Sequence, residues 1–154
     1  MNSSDESWIR RAIELSLRSR ETGKHPFGAL VVDAGGRLLA EGFNAFDSDC
    51  TGHAEMNALR AAHAFDPAAL PGATLYSSAE PCAMCAGAIY WSGIGRVVYA
   101  LSETRLLEIT GPHPENLTLS LPCREVFARG QRNVEVRGPM LEKEAARVHE
   151  GFWL

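Results

Sequence analysis

Two short clusters of ligand-forming side chains stand 29 residues apart and constrain the folding of this chain more than any other feature. The first is His53-Ala54-Glu55 and the second is Pro81-Cys82-Ala83-Met84-Cys85. Each opens an Ala-rich stretch with a helical signature. Gly52 to Phe65 carries Met56, Leu59 and Ala62/His63 at helical spacing and stops at Asp66-Pro67, while Cys82 to Trp91 is closed by Gly93. The fold must therefore let two helix N-termini project an imidazole, a carboxylate and two thiols.

The remaining pattern supplies a sheet on which to mount those helices. Ser3 to Arg20 predicts a first helix, with Ser3 and Glu6 as a capping box, Ile9, Ala12/Ile13 and Ser16/Leu17 on one face, and Gly23 as the stop. Phe27 to Asp33 and Arg37 to Phe43 flank the turn Ala34-Gly35-Gly36 and predict a hairpin. Gly72 to Ser78 predicts a strand, and Arg96 to Leu101 another, apolar enough to be buried on both faces. Glu103 to Ile109 predicts a short helix, Gly111 to Pro122 with its three prolines a loop, Asn133 to Arg137 a strand, and Leu141 to His149 a last helix. An α/β chain folded around one sheet follows, as a single domain over residues 1–154 with no linker long enough to divide it.

One imidazole and two thiolates form a donor set suited to a tetrahedral zinc ion. A helix N-terminus favours the thiolate form through its macrodipole. Three protein ligands leave the fourth position to water, whose pKa zinc brings to about 7. Glu55, two residues after His53 on the same turn, is placed to exchange protons with that water without ligating. Two other readings stand beside this one. C-x-x-C alone is also the spacing of a redox pair, although such a pair needs no upstream H-x-E. A closed structural zinc needs a fourth ligand, for which Cys50, His113 and Cys123 are the candidates, none with the paired spacing usual in such sites.

H-x-E followed by P-C-x-x-C resembles the signature of the zinc-dependent cytidine deaminase superfamily, whose members hydrolyse exocyclic amines on nucleobases. The likeness runs from about Pro26 to Leu101. It implies a three-layer αβα sandwich around a five-stranded mixed sheet, zinc on His53, Cys82 and Cys85, Glu55 as the catalytic acid/base, and a homodimer. Pro26-Phe27-Gly28-Ala29, Asn44 and Ala88-Ile89-Tyr90-Trp91 resemble the guanine deaminase and yeast cytosine deaminase branch. That likeness implies that Asn44 hydrogen-bonds the base, Phe27 stacks on its ring, the Ala54 backbone contacts a ring substituent, and Trp91 lies near the pocket. The chain departs from bacterial guanine deaminases where they carry an acidic pair: Leu106 to Gly111 holds Glu108 as its one acid. It departs from tRNA adenosine deaminases at Ser102-Glu103-Thr104-Arg105, which lacks their D-x-K run.

The expected activity is zinc-dependent hydrolytic deamination of a small free aminated heterocycle, a guanine-like purine or cytosine, with water as co-substrate and ammonia as product. The alternative is a tRNA adenosine-to-inosine deaminase, and a third reading is a non-catalytic zinc-binding module. Fifteen Lys+Arg against nineteen Asp+Glu leave a net charge of −4, which disfavours a nucleic-acid partner. The segment 139–154 is itself slightly acidic, with Lys143 and Arg147 against Glu142, Glu144 and Glu150. It ends in Gly151-Phe152-Trp153-Leu154, and aromatics of this size at a terminus need something to pack on. Phe152 and Trp153 therefore either close the pocket over the substrate or anchor the last helix on the core. No run of 18 apolar residues predicts a membrane span, and MNSSDESWIRR has no apolar core of a signal peptide, so the expected setting is the cytoplasm. His25, His63 and His149 read as surface or core residues, and Cys50 and Cys123 as small buried hydrophobes.

Overall fold

Alternating apolar residues along four of the strands point to opposite sides of one sheet, and each side is covered by helices. We describe residues 3–154 in a computed structural model. Among them, β1 (Gly28–Val32), β2 (Leu38–Phe43), β3 (Thr74–Ala79), β4 (Arg96–Leu101) and β5 (Glu135–Arg137) form a five-stranded sheet in the order β2-β1-β3-β4-β5. The β1–β2 and β1–β3 pairs are antiparallel, whereas β3–β4 and β4–β5 are parallel. The expected hairpin is thus present.

Ala29, Val31, Leu75, Val97 and Tyr99 face α2 (Ala54–Phe65), α3 (Ala83–Ser92) and α5 (Cys123–Ala128) in one core. Leu30, Val32, Tyr76, Val98 and Ala100 face α1 (Ser3–Glu21), α4 (Glu103–Thr110) and α6 (Glu142–Arg147) in the other. This is the expected three-layer αβα sandwich. The run from Val97 to Leu101 is buried throughout, as its sequence predicts for a strand covered on both faces.

Some local expectations shift. The buried side of α1 is built by Asp5, Ile9, Ala12, Ile13, Leu15, Ser16 and Ser19, while Leu17 is exposed. On α2 the buried residues are Ala54, Glu55, Ala58, Leu59 and Ala62, whereas Met56 is half-buried and His63 turns outward. The side chain of Ser3, half of the expected capping box, lies outside the described residues. Two elements were not expected: the 3₁₀ turn Pro67–Gly72 and α5. In α5 the apolar set Cys123, Val126 and Phe127 does follow helical spacing, but over only six residues and directly after a proline-rich loop.

Strand β3 is the point where the sheet changes from antiparallel to parallel pairing. Crevices for ligands in open α/β sheets form beyond the carboxyl ends of parallel strands at such a change. Here β3 leads from Ala79 into the cysteine cluster and β4 leads from Leu101 into α4. The functional side chains stand at those two ends.

Candidate active site

Two residues adjoining the helices do the first work of assembly. His53 is the N-cap of α2 and Cys82 the N-cap of α3, both in extended backbone, and neither side chain caps its own helix. Their side chains are free to turn toward each other. Helix α2 reaches this position because β2 carries no side chain at Gly42: a Cβ there would stand 2.4 Å from the Ala54 carbonyl oxygen and 2.6 Å from the Ala58 nitrogen. At the other end of α3, Gly93 closes the helix at φ +90°, as its sequence predicts.

The His53 Nδ1 lies 3.6 Å from the Cys82 Sγ and 3.6 Å from the Cys85 Sγ. A tetrahedral zinc about 2.05 Å from nitrogen and about 2.3 Å from sulfur separates such ligands by about 3.6 Å. The donor set fits zinc in both chemistry and spacing. Among the described residues, the ligand-type side chains that converge here are these three. The candidates for a fourth ligand are engaged or placed elsewhere. Cys50 is exposed, contrary to its expected burial; Cys123 is buried in the helical layer; His113 stacks edge-on against Trp153. Among the described residues, no fourth protein ligand joins the three.

Electrostatics within the cluster are steep. The Cys85 thiol and then His53 hydrogen-bond the Cys82 sulfur and hold its pKa down to about 4. The Cys82 sulfur in turn raises His53, and it pushes the Cys85 thiol far above the usual range. Glu55, buried on the first turn of α2, is pushed up to about 7 by loss of solvent and by the neighbouring Cys82.

A cavity of about 410 Å³ opens in front of this cluster. His53, Cys82 and Glu55 form its inner end, with Phe27, Asn44 and Met84 beside them. Its outer wall is the loop Pro114 to Leu119, together with His25, Phe46 and Cys50. Asn44 follows β2 directly and is buried; its Oδ1 accepts the Phe46 N–H at 2.9 Å, which fixes the amide. Phe27 stands edge-on to His149 and close to Trp153.

The other sequence-predicted residues do not reach the cavity. Ala54 is fully buried as the first residue of α2. Trp91 needs correction: it is 84% exposed near the last turn of α3. Nine residues of helix, about 13 Å at 1.5 Å per residue, separate it from the Cys82 end. Trp153 is 9% exposed and lies behind the wall, not over the opening. Its ring is 5.1 Å from His25, 5.3 Å from His113 and 4.8 Å from Phe152, centre to centre. Phe152 is half-buried under the Arg20 guanidinium. Glu80, Glu103 and the Pro114–Leu119 wall are among the cavity features missed from sequence. The first two had a legible signal, an acid directly before Pro81-Cys82 and another directly after an apolar strand.

Comparison with known proteins agrees with this geometry. The family model of the cytidine and deoxycytidylate deaminase zinc-binding region matches residues 2–101. A Schizosaccharomyces pombe protein described as "Probable cytosine deaminase" is 38% identical over 154 residues, which cover 99% of this chain and 94% of that one. A tRNA-specific adenosine deaminase of Haemophilus influenzae is 42% identical over 102 residues, covering 64% of this chain and 59% of that one. The solved structure of a guanine deaminase from Nitrosomonas europaea superimposes with a TM-score of 0.75 at 31% identity, covering 94% of this chain and 81% of that one.

Proposed function

Because this chain belongs to the cytidine and deoxycytidylate deaminase zinc-binding family, we propose that it hydrolyses the exocyclic amine of a small free nucleobase or related heterocycle, cytosine or a guanine-like purine, and releases ammonia. The observation that carries this reading is the lining of the cavity. It is about 410 Å³ in volume, and among the described residues that line it there is no lysine or arginine. A tRNA substrate brings phosphates that need basic partners. The tRNA-editing reading has the Haemophilus relative in its favour but lacks that surface at this opening.

In this reading His53, Cys82 and Cys85 hold the zinc, which when bound supplies a water activated for attack at neutral pH. Glu55 is the acid/base: its carboxyl stands two residues after His53, on the first turn of α2, and lines the cavity. It carries both protons of the attacking water in turn: the first goes to the ring nitrogen, and the second, taken from the hydroxyl now on the ring carbon, goes to the departing amine. The water oxygen replaces the amine on the ring carbon. Asn44 donates its amide N–H to the base, and the Phe27 ring lies against its face. Phe152 and Trp153 act from behind, by holding His25 and Phe27 in place.

Residues 1–154 form one deaminase domain in this reading, its tail 139–154 packing behind the wall of the site. The bare Trp91 face suits a second copy of the chain, which supports a homodimer. No helix among the described residues is long and apolar enough to cross a membrane. All four cysteines are free thiols, and the zinc ligands need to stay reduced, which supports a cytoplasmic setting. Ammonia release from cytosine, guanine, adenine, their nucleosides and an anticodon stem-loop tests the proposal. Turnover of a free base supports it, and turnover of the stem-loop alone replaces it with the editing reading.

A further inference from the structure

Glu80 is two residues before Cys82 and lines the cavity, yet nothing in the chemistry above uses it. Both of its carboxylate oxygens are engaged. One accepts the backbone N–H of Glu103 at 3.0 Å and the other accepts that of Cys123 at 3.0 Å. Glu103 and Cys123 are the first residues of α4 and α5. One carboxylate thus serves two helix N-termini, where N–H groups lack intrahelical partners and a negative charge is favoured. The Glu80 backbone is itself tied down, since its N–H donates to the Leu101 carbonyl at 2.8 Å.

The two helices are the two attachments of one segment. Residues 111–122 run from the end of α4 to the start of α5 without a strand or helix, and their middle, Pro114 to Leu119, is the outer wall of the cavity. Glu103 reinforces the arrangement. It is 7% exposed, is the first residue of α4, and lines the cavity beside Glu80 and the loop. A twelve-residue loop with three prolines has little structure of its own to define where it sits, so its ends must be fixed from outside. The cysteine turn supplies that fixing through Glu80.

We propose that Glu80 is a positioning residue for the deaminase reaction: its carboxylate clamps the starts of α4 and α5 to the metal-ligand turn and so sets the distance between the zinc site and the 111–122 wall against which the heterocycle is held. This rests on the function proposed above. The clamp acts on substrate fit and leaves zinc binding to His53, Cys82 and Cys85.

Two variants of the zinc-loaded chain test it. Glu80→Gln keeps length and one acceptor oxygen but places an N–H₂ against one of the two N–H groups. Cys123→Pro removes one of the clamped N–H groups at a first helical position, where proline is tolerated. With cytosine and guanine as probes, both variants should raise KM at least tenfold while kcat stays within threefold and zinc content stays at that of the wild type. Amide hydrogen exchange should speed up in residues 111–123 and remain unchanged in α1 and β1. Wild-type KM together with unchanged exchange in 111–123 overturns the clamp, and so does loss of zinc from Glu80→Gln, which would make Glu80 a support of the metal turn. If Glu80→Gln does not fold, Cys123→Pro decides on the same readouts. If the wild type deaminates neither base, the proposed function fails on that result, and the exchange data still decide the clamp.

Discussion

The inner and outer ends of the cavity are built in opposite ways. At the inner end, His53, Glu55, Cys82 and Cys85 all lie within one turn of two helix starts. Each position follows from a local rule, a cap, a close approach at Gly42 or a proline before the cysteine. At the outer end the wall is irregular chain between Gly111 and Pro122, held by residues distant in sequence: Glu80 through Cys123, His25 through Glu115, and Trp153 through His113. Local construction gives the inner end a geometry that tolerates little variation, which suits bond-making. The outer end can be retuned by changing any of several anchors, which suits the choice of substrate.

This contrast makes its sharpest demand at Glu55. If the inner end does the chemistry, Glu55→Gln should leave the fold and the zinc in place and lower kcat by at least 10²-fold, toward the 10⁴-fold limit typical of a lost acid/base group. Retention of activity within tenfold would remove Glu55 from that role and erase the distinction between the two ends. The next largest effect belongs to the outer end. Trp153→Ala empties a nearly enclosed site among His25, Phe27, His113, His149 and Phe152. Removal of a buried Trp costs about 3–5 kcal/mol, less where the site can collapse. Urea melts should show a loss near the lower figure, with a raised KM and an unchanged kcat at saturation. A change in kcat alone would mean that the tail serves the chemistry and not the wall.

Asn44 sits where the two ends meet. Its Oδ1 is committed to the Phe46 N–H, which leaves the amide nitrogen for the base. Asn44→Ala should therefore blur discrimination between cytosine and guanine by about tenfold, or 1.4 kcal/mol, since an unpaired polar group no longer penalises the wrong base. An unaltered ratio of kcat/KM values for the two bases would return Asn44 to a turn-forming role.

How much of this was legible follows the same division. The sandwich, the hairpin, the buried β4 and the four inner side chains were readable because spacing and caps act over a few residues. Trp91 was misplaced because a residue-by-residue likeness gives no measure of helix length: α3 carries it away from the cysteines it follows in sequence. Cys50 was misjudged as buried because burial depends on where the segment after β2 turns. Helix α5 was too short to announce itself, and Glu80 was passed over because its partners, Glu103 and Cys123, are 23 and 43 residues away. The outer wall depends on contacts of that kind throughout.

The smallest expected effect bears on how firmly the outer end is held as pH changes. His149 is 2% exposed, and its Nδ1 accepts the Trp153 Nε1–H at 3.0 Å, so that nitrogen carries no proton in the folded chain. Burial, and then the nearby Arg20 guanidinium, push its pKa down to about 4. An unfolded histidine titrates near 6.5, so below that pH the unfolded chain takes up a proton that the folded chain refuses. The stabilisation from neutral His149 is therefore complete above about pH 6.5 and is lost progressively as pH falls toward about 4. Between about pH 7.5 and about pH 5.5 the loss is on the order of 1 kcal/mol. His149→Gln keeps an acceptor for the Trp153 N–H without a titrating group, so urea melts of that variant should lose about 1 kcal/mol less than the wild type over the same interval. Hydrogen exchange should locate the difference in the tail and in residues 111–122, with the first turns of α2 and α3 unaffected. An identical pH dependence in both proteins would show that the aromatic cage tolerates a charged His149, and the outer end would then be as insensitive to acid as the sheet beneath it.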